Sequence, residues 1–188
     1  IFFKGVEDGL ANRVDPEMQK KDVAACMQAF MKVLQERSAA ASAANLEKGK
    51  AYLAENAKKD GVVTTASGLQ YTIIADPTPT DAKPNRTSYV TCDYTLTLIN
   101  GNKIEGGHGQ FYLGNVISGF AEGCCLVHNN GDIRIYIPYY LGYDEAKVSE
   151  DDTYNAAGNE GTEGTQGYIP PYSTLIYDIH ICAVSGSN

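Results

Sequence analysis

The segment SYVTCDYTLTLING, residues 88–101, decides the fold of the second part of the chain. Apolar and polar residues alternate along it, and the apolar phase consists of Val90, Cys92, Tyr94, Leu96 and Leu98. A period of two residues is typical of a β-strand that buries one face. The Asn100-Gly101 pair at its end is typical of a tight hairpin turn. The segment therefore predicts a half-buried strand followed by an antiparallel neighbour.

Two later segments repeat this alternation, and a short helical segment precedes them. In DIRIYI (residues 132–137) and TLIYDIHI (residues 174–181), an apolar residue occupies every second position. The short helix shows one apolar face, made of Ile117, Phe120, Cys124 and Val127. A twisted antiparallel β-sheet wrapped around this helix is the simplest arrangement that buries all these faces. The predicted fold class is α+β.

The first sixty residues have a helical period instead. In DVAACMQAFMKVLQER (residues 22–37), apolar residues recur at spacings of three and four, as in one face of an amphipathic helix. That face consists of Val23, Cys26, Met27, Phe30, Met31 and Leu34. A further helix is predicted over about residues 40–59. Its narrow seam, suited to close helix pairing, consists of Ser42, Leu46, Gly49, Leu53 and Ala57.

These helices predict a separate N-terminal domain. Slender helices cannot bury their apolar faces alone, so we expect a homodimer formed through residues 1–62. The predicted division is a helical dimerisation domain with a linker helix at 1–62 and a second domain at 63–188. A first helix is predicted from Phe2, and because its period is already established at residue 1 without a cap, we expect part of the mature chain to be missing.

Charge and hydropathy exclude several functions. The net charge is −8, and residues 63–188 carry 5 Lys and Arg against 14 Asp and Glu. Such an acidic domain would repel a polyanion, so nucleic acid is not an expected partner. No apolar run approaches the roughly 20 residues of a membrane helix. The sequence therefore predicts no membrane span.

The five cysteines do not form a recognisable metal motif. The sequence contains no C-x-x-C pair and no histidine at metal-ligand spacing. We expect no metal and no cofactor, and we interpret most of the cysteines as small buried hydrophobic residues.

Three ordered segments resemble one family. They are QFYLGNVISGF (110–120), RIYIPYYLGY (134–143) and GYIPPYSTLIYDIHI (167–181). They are similar to the F-x-L-G-x-V-I-x-G-W, I-P-x-x-L-A-Y-G and I-P-P-x-S-T-L-x-F patterns of FKBP-type peptidyl-prolyl cis-trans isomerases. Residues 47–71 also resemble the linker helix of the Mip-like branch, in which an N-terminal helical domain dimerises.

The resemblance implies a set of site residues. The pocket walls would be Tyr94, Phe111, Val116, Ile117, Phe120 and Tyr177. Phe120 would be the floor under the proline ring, and the backbone N–H of Ile117 would donate to a substrate carbonyl. The hydroxyl of Tyr143 would donate to the neighbouring carbonyl, and Ile169 would close one side. Ile104 and Glu105 stand where the family usually has Phe-Asp.

The chain departs from the family pattern at four places. Phe120 replaces the usual Trp, Ile104 and Glu105 replace the aromatic-acid pair, and Asp144 replaces a Gly. The segment 144–167 is longer than the family's loop and carries seven acids. Two interpretations of this acidic segment stay open, namely a segment that contacts protein clients and a disordered insertion without a function.

The resemblance implies an isomerase that acts as a folding factor on X-Pro bonds of protein clients. The alternative is a non-catalytic or weakly catalytic dimeric chaperone on the same frame, and a purely structural dimerisation protein is a third possibility. The Mip-like resemblance also implies a bacterial periplasm, cell envelope or secreted setting, with a lipid anchor as one option. Rapamycin-type macrolides are expected ligands of such a pocket.

Overall fold

The structure is a computed structural model, and it describes residues 16–77, 83–143 and 169–186. Two predicted features lie outside the described residues: the first helix from Phe2 and the acidic segment 144–167. No helix among the described residues is long and apolar enough to cross a membrane.

The first described element is the helix α1, Pro16–Asn56. Pro16 suits the first position of a helix because its fixed φ is helical and it needs no N–H partner there. The prediction of separate helices over residues 22–37 and about 40–59 is wrong, because α1 runs through the intervening residues without a break. The connecting stretch SAAASAA contains neither Gly nor Pro, and alanine is the strongest helix former.

Six strands and a second helix follow. The strands are β1 Val63–Thr64, β2 Gln70–Ala75, β3 Tyr89–Leu98, β4 Lys103–Tyr112, β5 Asp132–Ile137 and β6 Leu175–Ser185. The helix α2 is Ser118–Cys124, and a short 3₁₀ helix is Tyr139–Leu141. The strands form one sheet in the order β1-β2-β5-β6-β3-β4, and every neighbouring pair is antiparallel. This confirms the predicted α+β fold.

Strand β3 is paired on both sides, with β4 and with β6. The predicted alternation is confirmed, since Val90, Cys92, Tyr94, Leu96 and Leu98 are all buried. The predicted hairpin is also present. The N–H of Gly101 donates to the carbonyl of Leu98 at 2.9 Å, and Gly101 has a φ of +84°, which glycine adopts without strain.

The core lies between the sheet and α2. The predicted inner face of α2 is buried at Phe120 and Cys124, and Ile117 packs against the same cluster. The prediction that most cysteines are buried holds only for Cys92 and Cys124, because Cys26 on α1 is exposed and Cys125 and Cys182 are partly exposed. Burial raises the pKa of Cys92 to about 12, which keeps this thiol protonated at neutral pH.

The chain divides into two compact units, Ile1–Ala41 and Ser42–Asn188. The C-terminal part of α1 therefore belongs with the sheet. The Nδ2 of Asn56 donates to the Oε1 of Gln70 at 3.0 Å, and the Nε2 of Gln70 donates to the carbonyl of Leu53 at 2.9 Å. The division into domains at residue 62 stays a prediction.

The narrow seam of α1 lies against the turn before β6. Ser42 and Gly49 are buried, and a Cβ at Gly49 would overlap the Oγ1 of Thr174. The seam thus allows the helix to approach this turn of the same chain, and the helix pairing stays a prediction. The Nδ2 of Asn45 also donates to the carbonyl of Pro171 in this turn, at 3.2 Å.

The substitution Gly123→Ala tests the packing of α2 on the sheet. A Cβ at Gly123 would lie 2.7 Å from the Cδ1 and 2.8 Å from the Cγ2 of Ile135, which is fully buried and has no room to move. We expect the free energy of unfolding to fall by about 1–3 kcal/mol through overpacking. In an open helix the same change would add about 1 kcal/mol. Urea denaturation followed by circular dichroism measures the change.

Ile135→Ala removes both clashing atoms and provides the control. The double variant should lose less stability than the sum of the losses in the two single variants, because alanine at residue 135 leaves space for the new methyl group. A stabilising Gly123→Ala, or strictly additive losses, would contradict the packing described here.

Candidate active site

Four aromatic rings form the centre of the predicted site. Phe120 from α2 lies against the other three, with ring centroids 5.2 Å from Tyr177, 5.7 Å from Phe111 and 6.4 Å from Tyr94. The interplanar angles are 72°, 72° and 85°, which are the edge-to-face geometries that aromatic pairs favour. All four rings are buried. They make one apolar cluster between the helix and the sheet.

The strand register brings these rings together. Tyr94 on β3, Phe111 on β4 and Tyr177 on β6 all occupy inward positions, and Leu96 of β3 is paired with Tyr177. Tyr94 is therefore the diagonal neighbour of Tyr177, and their ring centroids are 6.3 Å apart. A Cβ at Gly109 would lie only 2.9 Å from the Cζ of Phe111, so glycine at this position leaves room for that ring.

A β-bulge explains why Ile104 and Glu105 are both buried although they are consecutive. Leu96 is paired with Glu105 and Thr97 with Lys103, so Ile104 is the extra residue in β4. A bulge re-aims a side chain that would otherwise point to the opposite face. Both side chains therefore face the core, with exposures of 5% each.

Glu105 is joined to the aromatic cluster by a hydrogen bond. The hydroxyl of Tyr94 donates to the Oε1 of Glu105 at 2.5 Å. A hydrogen bond to a buried carboxylate is among the stronger ones in proteins, because leaving such a group unpaired is costly. The bond fixes the direction of the Tyr94 hydroxyl.

The hydroxyl of Tyr177 is a polar atom inside this apolar cluster. Its oxygen is buried and has no hydrogen-bond partner among the described residues. Burial raises the pKa of Tyr177 well above its usual value, and the nearby Tyr143 and Glu105 raise it further. The hydroxyl therefore stays protonated and remains a potential donor.

Three predicted site residues lie at the partly exposed edge of the cluster. Val116, Ile117 and Tyr143 all pack against it without being buried. Ile117 precedes α2 and has an extended conformation, with φ −57° and ψ 144°. Its carbonyl accepts a bond from the N–H of Ala121, whereas its own N–H has no intrahelical partner because of its position at the helix start. The edge thus combines apolar side chains with donor groups.

Ile169 precedes β6 and is buried in the same core cluster. The turn that follows it is held by two hydrogen bonds. The Oγ of Ser173 donates to the carbonyl of Pro170 at 2.6 Å, and Asn45 of α1 donates to the carbonyl of Pro171. Sequence reasoning did not find this role of Asn45, and its polar side chain between Ser42 and Gly49 of the seam was the available signal.

The structure brings five of the ten predicted site residues into direct contact, namely the four rings and, through Tyr94, Glu105. The other five belong to the core cluster of the sheet domain or pack against it. The functional role of each residue stays a prediction. The four rings are the walls and floor of the predicted apolar cup, and Ile117 and Tyr143 carry its predicted donors. Such a cup would fit a ligand that is apolar in the centre and carries carbonyls on its flanks.

The comparisons with known proteins agree with this geometry. Residues 80–182 match the family model of the FKBP-type peptidyl-prolyl cis-trans isomerase, and residues 1–73 match that of the domain amino-terminal to it. The chain therefore belongs to the FKBP-type peptidyl-prolyl cis-trans isomerase family, with the N-terminal domain that accompanies some of its members.

Individual relatives cover most of this chain. A probable FKBP-type peptidyl-prolyl cis-trans isomerase FkpA of Neisseria meningitidis is 36% identical over 82% of this chain and 54% of its own length. The outer membrane protein MIP of Legionella longbeachae is 32% identical over 98% of this chain and 74% of its own. The crystal structure of FkpA from Escherichia coli superposes with a TM-score of 0.78 at 27% identity, covering 97% of this chain and 80% of that one. The chain thus spans about half the length of the Neisseria relative.

Removing one oxygen from each of two neighbouring tyrosines should have opposite effects. Tyr94→Phe removes the hydroxyl that donates to the buried Glu105, and we expect it to lower the free energy of unfolding by about 1.5–3 kcal/mol. Tyr177→Phe removes a buried hydroxyl that has no partner among the described residues, and we expect it to be neutral or stabilising by up to about 1 kcal/mol. Urea denaturation of the two variants and the parent measures both.

Each variant is the control for the other, since the chemical change is the same and the rings are in contact with the same Phe120. A loss of similar size in both variants would show that the Tyr177 hydroxyl is also satisfied, and it would contradict the difference described here.

Proposed function

We propose that this protein catalyses the cis-trans isomerisation of X-Pro peptide bonds in protein chains. The observation that supports it best is the four-ring cluster around Phe120, because it brings into contact four of the residues that the family resemblance assigns to the proline pocket. Membership in the isomerase family supports the same function. The proposed substrates are unfolded or partly folded proteins with accessible X-Pro bonds.

The chemistry needs neither an acid, a base nor a metal. The barrier of roughly 18–20 kcal/mol is the amide resonance that is lost when the bond twists. The planar ground state is the more dipolar form, so removing it from water favours the twisted form. A cup walled by Tyr94, Phe111 and Tyr177 supplies that apolar environment, with Phe120 under the proline ring.

Hydrogen-bond donors at the edge of the cup would then hold the carbonyls on both sides of the twisting bond. The N–H of Ile117 and the hydroxyl of Tyr143 are the proposed donors, and both belong to residues that are partly exposed. Donors fixed before the reaction stabilise a transition state without reorganisation. The substrate therefore needs to supply only its proline ring and its flanking carbonyls.

The protease-free relaxation of a short Leu-Pro peptide from cis to trans tests this proposal. The parent should accelerate it, and Tyr143→Phe should lower kcat/KM about fivefold, which corresponds to one hydrogen bond of about 1 kcal/mol. Phe120→Ala should lower it about 100-fold, since the proline ring would lose about 3 kcal/mol of apolar contact with the Phe120 ring. Circular dichroism must show that each variant is folded.

Tyr89→Phe is the matched control for Tyr143→Phe, because it removes the same atom from an exposed ring on β3. It should leave kcat/KM unchanged. A folded parent that does not accelerate the peptide, but does suppress aggregation of a denatured protein, would select the non-catalytic chaperone. The family comparisons do not favour that alternative.

We further propose that residues 1–62 form a homodimer. On α1, Met27, Phe30 and Met31 share one helical face, and their exposures of 62%, 57% and 59% leave this face open to solvent in the single chain. Exposed apolar stripes of this size are typical of interaction surfaces. The match to the amino-terminal domain of the family supports this proposal.

Met27→Glu combined with Met31→Glu should convert the dimer into a monomer. Each methionine contributes at least about 1.5 kcal/mol when buried, so the dissociation constant should rise at least about 100-fold. Light scattering coupled to size exclusion measures the mass. Ala29→Glu, on the other side of the same helix, is the control and should leave the mass unchanged.

The proposed setting is the bacterial periplasm or cell envelope. It is supported by the name of the Legionella relative, an outer membrane protein. In this setting the partners would be secreted proteins that are still folding. A rapamycin-type macrolide is a proposed ligand of the same cup.

A further inference from the structure

The outward face of the sheet carries a cluster of three different metal-binding side chains. Asp93 on β3, His108 on β4 and Cys182 on β6 each offer a ligand atom, and these atoms lie within 4.8 Å of one another. The cluster is on the opposite side of β3 from the aromatic cup, since Asp93 precedes the inward Tyr94. It therefore does not belong to the site described above.

The sheet register brings the three residues together. Asp93 is directly paired with His108 of β4. On the other side, Thr91 is paired with Ala183 and Cys92 with Ile181, so Cys182 is an extra residue at a bulge in β6. The bulge brings the thiol of Cys182 to 3.5 Å from the Oδ2 of Asp93. Two residues that are distant in sequence, His108 and Cys182, thus contact the carboxylate of Asp93.

The ligand set and the spacing fit a zinc-class divalent cation. Zinc takes thiolate, imidazole and carboxylate ligands with bond lengths of about 2.0–2.3 Å, so two ligand atoms on one tetrahedral ion are about 3.5 Å apart. The Nδ1 of His108 lies 2.7 Å from the Oδ1 of Asp93, and the thiol of Cys182 lies 3.5 Å from Oδ2. Small side-chain rotations would bring all three to coordination distance.

The cluster is also accessible. The side chains of His108 and Asp93 are 61% and 58% exposed, so an ion can enter and water can fill the fourth position. Calcium and magnesium are poor candidates, because they prefer oxygen ligands alone. A thiol beside an imidazole selects the softer transition metals, among which zinc is the redox-inert one.

We propose that Asp93, His108 and Cys182 form a zinc-class metal site that joins the three strands β4, β3 and β6 on the outer face of the sheet. This departs from the expectation of no metal, which rested on the absence of local ligand motifs. On binding, the ion displaces the proton of the Cys182 thiol and replaces the hydrogen bonds to Asp93 by coordination bonds.

The rival interpretation is an ordinary surface network, in which Asp93 accepts hydrogen bonds from His108 and Cys182 and binds no metal. The next pair along the sheet is of this hydrogen-bonded kind, since the Nδ1 of His180 lies 2.8 Å from the Oδ1 of Asp132. The two interpretations differ in whether the thiol coordinates a metal, and this difference is visible by spectroscopy.

Cobalt(II) is the spectroscopic probe, added alone to the reduced, tag-free full chain. A thiolate bound to cobalt gives a charge-transfer band in the near ultraviolet, and tetrahedral cobalt gives strong visible bands. We expect both at one equivalent, and we expect zinc(II) to displace them. Zinc should also raise the thermal midpoint of the sheet domain, because a ligand that binds only the folded state stabilises it.

Variants of the ligands separate a built site from adventitious binding. Cys182→Ser should abolish the charge-transfer band, and His108→Ala and Asp93→Asn should each lower the zinc affinity at least about tenfold. Cys26→Ser and Asp178→Asn make the same kinds of change at positions outside the cluster and should leave the affinity within about threefold of the parent.

The proposal is overturned if cobalt gives no charge-transfer band with the folded parent. It is also overturned if the band persists in Cys182→Ser, or if zinc binding is equal in the ligand variants and the controls. Because His108 and Asp93 are exposed, their substitution should leave the circular dichroism spectrum unchanged, and the readouts do not depend on isomerase activity.

Discussion

The contact between the ring of Phe120 and the sheet is the interaction on which the rest of the structure depends. Phe120 of α2 lies against rings from β3, β4 and β6 at once. These three strands are adjacent in the sheet, so the packing of one helix side chain depends on the register of all three. A slip of one residue in any of them would turn a ring to the outer face and remove one of the three ring contacts of Phe120. Fold and candidate site are thus fixed by the same packing.

Strand alternation and helix period are enough to predict much of this arrangement. They correctly placed Tyr94 and Tyr177 on inward positions of β3 and β6, and Phe120 on the inner face of α2. Such predictions succeed because the period of a regular element is a property of its backbone. The match with the family patterns then brought these positions into one candidate site.

The remaining features depend on irregularities and on tertiary contacts that no period reveals. The burial of both Ile104 and Glu105 requires a bulge, and an alternating pattern cannot represent two consecutive inward residues. The continuity of α1 depends on alanines. Their helix propensity is strong, but a stretch of alanines shows no apolar–polar period from which a helix could be recognised. The seam at Gly49 was correctly recognised as a surface for close approach, yet its partner, Thr174, lies far along the chain. Small residues on a helix face predict that another element packs closely there, but they do not identify that element.

The two faces of β3 carry side chains of different chemical character. Tyr94 faces the aromatic cup and donates to Glu105, while Asp93, one residue earlier, accepts hydrogen bonds from His108 and Cys182 on the outer face. The partners on both faces come from β4 and β6, because β3 is paired with both strands. A metal ion on the outer face would therefore hold together the same three strands whose rings surround Phe120. Its binding on the outer face of the sheet would make the strands that form the walls of the cup more rigid, without contact with the substrate.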